Sequence, residues 1–187
     1  MAGQTSYNPM QTIKRHLFAM RNGVIADVLR RSGSPFKIIF GVNLPQLVEI
    51  AAETGPAEEL AEQLWANTTT RESMLIAPMI FPRDKFSREK AMQWISTVPC
   101  AEVADVLCHR LLRHQDYALD LAGELVADSS RPDMERYTGL RLAFNLVGQH
   151  PARCGEIAAL ESARQCSLTR TVAASLAEEA RFLMGED

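Results

Sequence analysis

A ten-residue pattern that occurs twice constrains the fold of this chain more than any other feature. Residues 60–69 (LAEQLWANTT) return as residues 121–130 (LAGELVADSS), with four identical positions and four conservative exchanges. Each copy is an apolar helix end, followed by a polar Asn/Asp–Thr/Ser break and then by another amphipathic segment. Recurrence of a helix–break–helix unit is typical of a stacked helical array. The repeat therefore predicts an all-α chain of paired helices.

The hydrophobic pattern outside the repeat is also helical. Apolar residues at helical spacing run from Pro9 to Arg31, with Gly23 as a kink or a tight helix contact, and Asn43 caps the next helix. Further helices are predicted at residues 57–66, 70–80, 87–97, 101–113, 115–127, 132–149, 152–165 and 168–184, with Ser87, Asp116, Asp133 and Ser167 as start signals. Residues 36–42 are apolar and β-branched, but no partner strand alternates elsewhere, so we interpret them as a buried connector. We expect a flexible N-terminus (1–8) and a single helical-repeat domain (9–187).

Length and charge narrow the classes of function. A chain of 187 residues is long enough to bury a sizeable core, and a net charge of -3 excludes a global positive field. Four cysteines without CxxC spacing predict reduced thiols, and no apolar signal segment or membrane-length run is present. These features predict a cytoplasmic protein with no membrane partner.

Sequence motifs for common chemistries are absent. The chain has no phosphate-binding glycine loop, no GxSxG or HExxH motif and no zinc spacing, so we predict no metal site and no small-molecule cofactor. Cys108 and His109 are adjacent, but neighbouring helical residues point about 100° apart, so a catalytic thiol–imidazole pair is disfavoured. Trp65 and Trp94 have apolar neighbours at helical spacing, which favours core positions.

Asp105 is the carboxylate best placed for chemistry. It interrupts the mostly apolar helical segment AEVADVLCHRLL, where a carboxylate could act as a base or as an electrostatic stabiliser. A solvated aspartate, or one paired with His109 or Arg110 on the same helix, explains the same pattern.

Basic residues cluster at several places, including four arginines in the second half of the chain. On the concave face of a helical array, arginines from successive repeats would form a groove that follows phosphates. Acidic residues are interleaved with them, so a charge-balanced exterior is the alternative. The candidate nucleic-acid-binding residues are Arg110, Arg113, Arg136 and Arg141.

One ordered set of residues resembles a known family. The segment IFGVNLPQL (39–47) is followed by Leu64-Trp65, by Glu72, by Trp94 and by Val103-Ala104-Asp105. This order is similar to that of the DNA alkylation repair family, the alkylpurine DNA glycosylases built of HEAT-like repeats. The resemblance spans about residues 36–147.

The resemblance implies an α-solenoid that grips duplex DNA. It assigns Asp105 to stabilising positive charge on the deoxyribose as the base leaves, and Arg136 or Arg141 to a backbone phosphate. The family's tryptophan four residues before the aspartate is replaced by Ala101, and no tryptophan follows Trp94. The chain thus departs from the family at both aromatic walls that position the lesion.

Two functions follow from the sequence. The first is a DNA-binding, DNA glycosylase-like helical-repeat protein, with base excision retained, weakened or lost. The alternative is a non-enzymatic HEAT-like scaffold that binds a protein partner on its concave face, which the net negative charge and the missing tryptophans favour.

Overall fold

The structure, a computed structural model, describes residues 8–161 and 166–185. The chain divides into two compact units, Met1–Lys85 (unit 1) and Phe86–Asp187 (unit 2). The described residues form eleven α-helices and no strand, which confirms the all-α prediction. Unit 1 holds α1 (Pro9–Ala19), α2 (Gly23–Arg31), α3 (Leu44–Thr54), α4 (Glu58–Ala66) and α5 (Arg71–Ile80). Unit 2 holds α6 (Arg88–Ile95), α7 (Ala101–Arg110), α8 (Ala118–Ala127), α9 (Asp133–Leu146), α10 (Pro151–Glu161) and α11 (Ser167–Met184).

The first two helices of unit 1 are separate, where the sequence predicted one continuous stripe. Asn8 caps α1 by accepting from the Gln11 amide, and Asn22 caps α2 by accepting from the amides of its first turn. Because Asn22 supplies a new cap, the chain breaks before Gly23 instead of kinking at it. The predicted tight contact at Gly23 is also wrong, since a Cβ there would meet no atom within 4 Å.

Residues 36–42 form the predicted connector, without regular strand structure. Phe36, Ile39 and Val42 are buried, while Ile38 is exposed and forms one isolated parallel bridge with Thr70. The connector then enters α3 through the predicted Asn43 cap, which is part of a capping box.

A buried carboxylate fastens the connector to α5. Glu72 is fully buried, and its two oxygens accept the amides of Phe40 at 3.1 Å and Gly41 at 3.0 Å. Arg71 donates to the same carboxylate at 2.9 Å and to the Val42 carbonyl at 3.1 Å. Pairing and hydrogen bonding together make burial of this charge tolerable. We call this arrangement the connector clamp.

Gly41 is required at its position in the clamp. Its φ of 75° lies in the left-handed region, and a Cβ there would lie 2.1 Å from the Asn22 carbonyl oxygen. The connector passes this close because Asn22 donates its own amide to the Phe40 carbonyl at 2.8 Å. Only glycine satisfies both the backbone angle and the close approach.

The two copies of the sequence repeat occupy equivalent places in helix pairs. The first copy ends α4, which packs on α5, and the second ends α8, which packs on α9. The breaks use the predicted polar chemistry. Asn67 Nδ2 donates to Ser73 Oγ, and Asp128 Oδ1 accepts from the backbone amide of Ser130. The helix–break–helix prediction is therefore confirmed.

Helix α9 is central to unit 2, where it packs against α7, α8, α10 and α11. Gly139 allows the close approach to α8, because a Cβ there would lie 2.8 Å from Leu125 Cβ. Several predicted boundaries shift by a few residues. Helix α7 ends at Arg110 and a short 3-10 helix follows it, while α8 begins at Ala118 and Asp116 does not cap it. Residues 162–165, predicted as the end of a helix, lie outside the described residues.

The core contains both tryptophans, as predicted, with Trp65 5% and Trp94 2% exposed. Trp94 packs edge-on against Phe86 with ring centroids 5.2 Å apart. Among the helices of residues 8–161 and 166–185, none is long and apolar enough to cross a bilayer.

Candidate functional site

Asp105 lies on α7 and faces α9, and its partners come from that second helix. Tyr137 and Arg141 are four residues apart on α9, so both side chains lie on the same helix face. Tyr137 donates its hydroxyl to Asp105 Oδ1 at 3.0 Å, and Arg141 donates its Nε–H to the same oxygen at 2.8 Å. The predicted pairing with His109 or Arg110 is therefore wrong, because α9 supplies the partners instead.

The carboxylate of Asp105 is held at one oxygen and open at the other. Both donors bind Oδ1, and within the described residues Oδ2 has no hydrogen-bond partner. The Asp105 side chain is 39% exposed and the Arg141 side chain 31% exposed. The site thus presents an oriented negative oxygen at the surface of unit 2, with a guanidinium beside it.

Tyr137 remains a hydrogen-bond donor over a wide pH range. Burial raises the pKa of its phenol well above the usual range, and the neighbouring charge and hydrogen bond of Asp105 raise it further. A neutral phenol has a proton to donate, so it fixes the rotamer of Asp105 instead of repelling it.

Beneath the pair lies Cys108, which is fully buried and donates its Sγ–H to the Thr138 carbonyl at 3.4 Å. Burial raises the pKa of this thiol far above its ordinary value. It is therefore a packing residue and not a nucleophile, as the sequence indicated. None of the four cysteines, all of which lie within the described residues, forms a disulfide.

A row of polar and aromatic groups continues from Arg141 along the same two elements. The Arg141 guanidinium carbon lies 5.5 Å from the centroid of the Phe144 ring. Asn145 Oδ1 lies 3.2 Å from His109 Nδ1, and Arg113 Nη1 lies 3.2 Å from the same ring nitrogen. The structure therefore groups Asp105, Arg141 and Arg113 on one part of unit 2.

The other two predicted arginines, Arg110 and Arg136, form none of the contacts that link Arg141, Asn145, His109 and Arg113. Arg110 is half-buried at the end of α7, and among the described residues no carboxylate pairs with it. Arg136 is buried with 6% exposure, and its guanidinium contacts Asp133 and, at 3.4 Å, Glu161. Of the two arginines predicted as alternatives for a phosphate contact, Arg141 is accessible beside Asp105, whereas Arg136 is enclosed by carboxylates.

Three residues of the site were missed by the sequence analysis: Tyr137, Phe144 and Asn145. The spacing of Tyr137 and Arg141 on one helix face was a usable signal, but the partner helix of α7 was not known. Within the described residues, no group of three or more His, Cys, Asp or Glu side chains is arranged to hold a metal ion.

The paired helices have the architecture of a HEAT-like repeat protein, and the site described above lies on two of them, α7 and α9. One solved structure shares the fold with a TM-score of 0.76 and 19% sequence identity, over 94% of this chain and 82% of that chain. It is described as a member of a new family of proteins related to the HEAT-like repeat DNA glycosylases, with affinity for branched DNA structures.

The chain belongs to the DNA alkylation repair enzyme family, whose model matches residues 13–136. The resemblance stated from the sequence is thereby confirmed. No curated protein matches the sequence at a significant level.

Proposed function

We propose that the protein binds DNA through the face of unit 2 that carries Asp105, Arg141 and Arg113. Membership of the DNA alkylation repair family supports this proposal, as does the DNA affinity ascribed to the protein that shares the fold. The observation that carries it is the state of Arg141. Its Nε is bound by Asp105, while within the described residues Nη1 and Nη2 form no hydrogen bond.

Two free N–H₂ groups on an oriented guanidinium suit a phosphate oxygen. Arg113, whose near neighbours are two imidazole nitrogens, would add a second cation along the same row. Neutralising phosphates releases counterions, so binding through these residues must weaken as salt rises.

Base excision is the second candidate, and the open oxygen of Asp105 favours it. A fixed carboxylate near the deoxyribose would stabilise the positive charge that develops as a base leaves. The tryptophan that the family resemblance places on α7, four residues before Asp105, is replaced by Ala101. The Phe144 ring, 5.5 Å from the guanidinium carbon of Arg141, adds an aromatic group to the row. With that tryptophan missing, we expect excision to be slow compared with binding.

The test is a salt series with three DNA probes: an unmodified duplex, a duplex with a cationic alkylated purine, and a four-way junction. Base release is followed in the same samples. We expect Arg113→Gln to reduce the salt slope by about one, while Arg181→Gln, an exposed control on α11, leaves it unchanged. Tighter binding of the junction than of the duplexes would extend to this chain the affinity for branched DNA that is described for the protein sharing its fold.

Asp105→Asn separates binding from chemistry. We expect it to abolish base release and to preserve binding within a few fold, because the amide keeps the shape of the side chain. Base release that survives in this variant removes Asp105 from the mechanism. Failure of every probe to bind at low salt overturns DNA binding and leaves the alternative of a scaffold for a protein partner. A cytoplasmic location accompanies the proposal, and the absence of disulfides among the four described cysteines supports it.

A further inference from the structure

Unit 1 contains a cavity that the Asp105 site does not use. Its volume is about 450 Å³, within the range of ligand sites for small molecules. One wall is α1, where Leu17 and Phe18 line it, and another is the connector, through Ile38 and Phe40. The floor is the break between α4 and α5, including Thr70 and Ser73, which are polar and buried.

The apolar wall includes an aromatic ring held in place at the surface. Phe18 is 55% exposed, which is unusual for a large aromatic side chain. Its ring packs edge-on against Phe40 with centroids 5.1 Å apart. An exposed but fixed ring offers a stacking surface to a planar ligand without an ordering penalty.

The polar floor includes a hydroxyl group that forms no hydrogen bond within the described residues. Thr70 is 5% exposed and stands at the N-cap of α5, yet its side chain makes no capping hydrogen bond. N-cap threonines normally accept a hydrogen bond from an amide of the first turn, so the Thr70 hydroxyl is available to a ligand. Ser73 Oγ accepts from Asn67 Nδ2, so its own hydroxyl proton is also available. The cavity thus offers two donors to ring nitrogens or carbonyl oxygens.

A cation completes the cavity. Lys14 lines it one helical turn before Leu17 and Phe18, on the same face of α1. Among the described residues, no carboxylate lies within ion-pair distance of its ammonium group. Two hydroxyl donors and a lysine favour an anionic group on the ligand.

We propose that this cavity binds one nucleotide, with the base against Phe18, its acceptor atoms toward Thr70 and Ser73, and the phosphate toward Lys14. A nucleotide has a planar ring that can stack on Phe18, acceptor atoms for the two hydroxyl groups, and a negative charge for Lys14. The same chemistry can come from a free mononucleotide or from an unpaired nucleotide of DNA. Only the second source depends on the proposed DNA binding.

The test measures binding of 2′-deoxyadenosine 5′-monophosphate and of 2′-deoxyadenosine by calorimetry. In parallel, a duplex with one unpaired adenine is compared with the same duplex fully paired. We expect saturable binding that Phe18→Ala weakens on the order of tenfold. Thr70→Val, which keeps the side-chain shape, should weaken it as well. Lys14→Gln should weaken binding of the monophosphate but not of the nucleoside.

Phe182→Ala is the matched control, since Phe182 is an exposed phenylalanine on α11 in unit 2. Circular dichroism establishes that each variant is folded. Binding of the monophosphate without any DNA binding upholds the nucleotide cavity and overturns the proposed function. A preference for the unpaired adenine that Phe18→Ala removes identifies DNA as the source. The proposal is overturned if the protein does not bind the monophosphate and does not prefer the duplex with the unpaired adenine. It is also overturned if binding occurs but Phe18→Ala and Lys14→Gln leave it unchanged.

Discussion

Arg141 donates its Nε–H to Oδ1 of Asp105 across 2.8 Å, so that two helices of unit 2 are joined at a partly exposed ion pair. Within the described part of the chain, the terminal nitrogens of Arg141 and the Oδ2 atom of Asp105 form no hydrogen bond. We expect such a pair to contribute little to the free energy of folding, because it is partly exposed to solvent. Its main effect is to orient charged groups at the surface of unit 2.

The first prediction concerns that free energy. In a double-mutant cycle of Asp105→Asn and Arg141→Gln, we expect a coupling energy below about 1 kcal/mol, because solvent screens both side chains. Urea denaturation of the four proteins measures it. A coupling of several kcal/mol would make the pair a structural element, and the variants would then be unsuitable for testing DNA binding.

Tyr137 makes stability dependent on pH in the alkaline range. Burial holds the pKa of its phenol above the ordinary value of 10.0, so the unfolded chain loses this proton at lower pH than the folded protein does. Stability from this group is complete below pH 10 and is lost as the pH rises toward the folded pKa. We expect the free energy of unfolding to fall less steeply above pH 10 in Tyr137→Phe, by at most about 1.4 kcal/mol per pH unit. Equal slopes in the two proteins would contradict this assignment.

Arg136 is predicted to act through stability and not through DNA. Its guanidinium pairs with Glu161, which is fully buried and also accepts from the Thr169 hydroxyl. Arg136→Gln removes this cation from a buried carboxylate, at an expected loss of about 3–5 kcal/mol in the free energy of unfolding. At a temperature where the variant is folded, we expect its affinity for DNA to match that of the wild type. A reduced salt slope for DNA binding, together with an unchanged free energy of unfolding, would instead make Arg136 a DNA contact and not a stabilising residue.

Glu72→Gln tests the connector clamp. The amide removes the charge that pairs with Arg71 and leaves one acceptor oxygen where two amide groups need acceptors. We expect a loss of about 3 kcal/mol or more in the free energy of unfolding. Glu59→Gln is the control, since Glu59 is exposed on α4. A comparable loss in both variants would show that the clamp contributes nothing specific.

Gly41→Ala adds a side chain where the backbone of α2 leaves no space. Gly33→Ala provides a close control, because Gly33 has φ 83° and a Cβ there would meet no atom within 4 Å. Both variants carry the strain of a left-handed alanine, on the order of 1 kcal/mol. Only Gly41→Ala adds the 2.1 Å contact with the Asn22 carbonyl, so it should lose clearly more stability in thermal denaturation. Equal melting temperatures would mean that the connector shifts to relieve the contact.

The sequence predicted the helix pairs because its apolar periodicity and its break residues agree with each other. The Asn43 cap, the core tryptophans and the buried Cys108 all follow from local patterns of this kind. The separation of α1 from α2 was missed because Asn22 competes as a cap within an otherwise continuous apolar stripe.

The partners of Asp105 could not be predicted in the same way. They depend on which helix packs against α7, and α9 takes that place through contacts between residues far apart in the sequence. The burial of Arg136 has the same origin. Arg136 and Arg141 lie on the same helix, and their different angular positions on α9 make one an enclosed arginine and the other an accessible one.

The connector clamp lies within the part of the chain that the family model matches, whereas Arg141 lies outside it. The residues matched by the family model, 13–136, include Gly41 and Glu72 but stop short of Arg141. A relative could therefore keep every clamp residue, lose the arginine that faces Asp105, and still be recognised as kin.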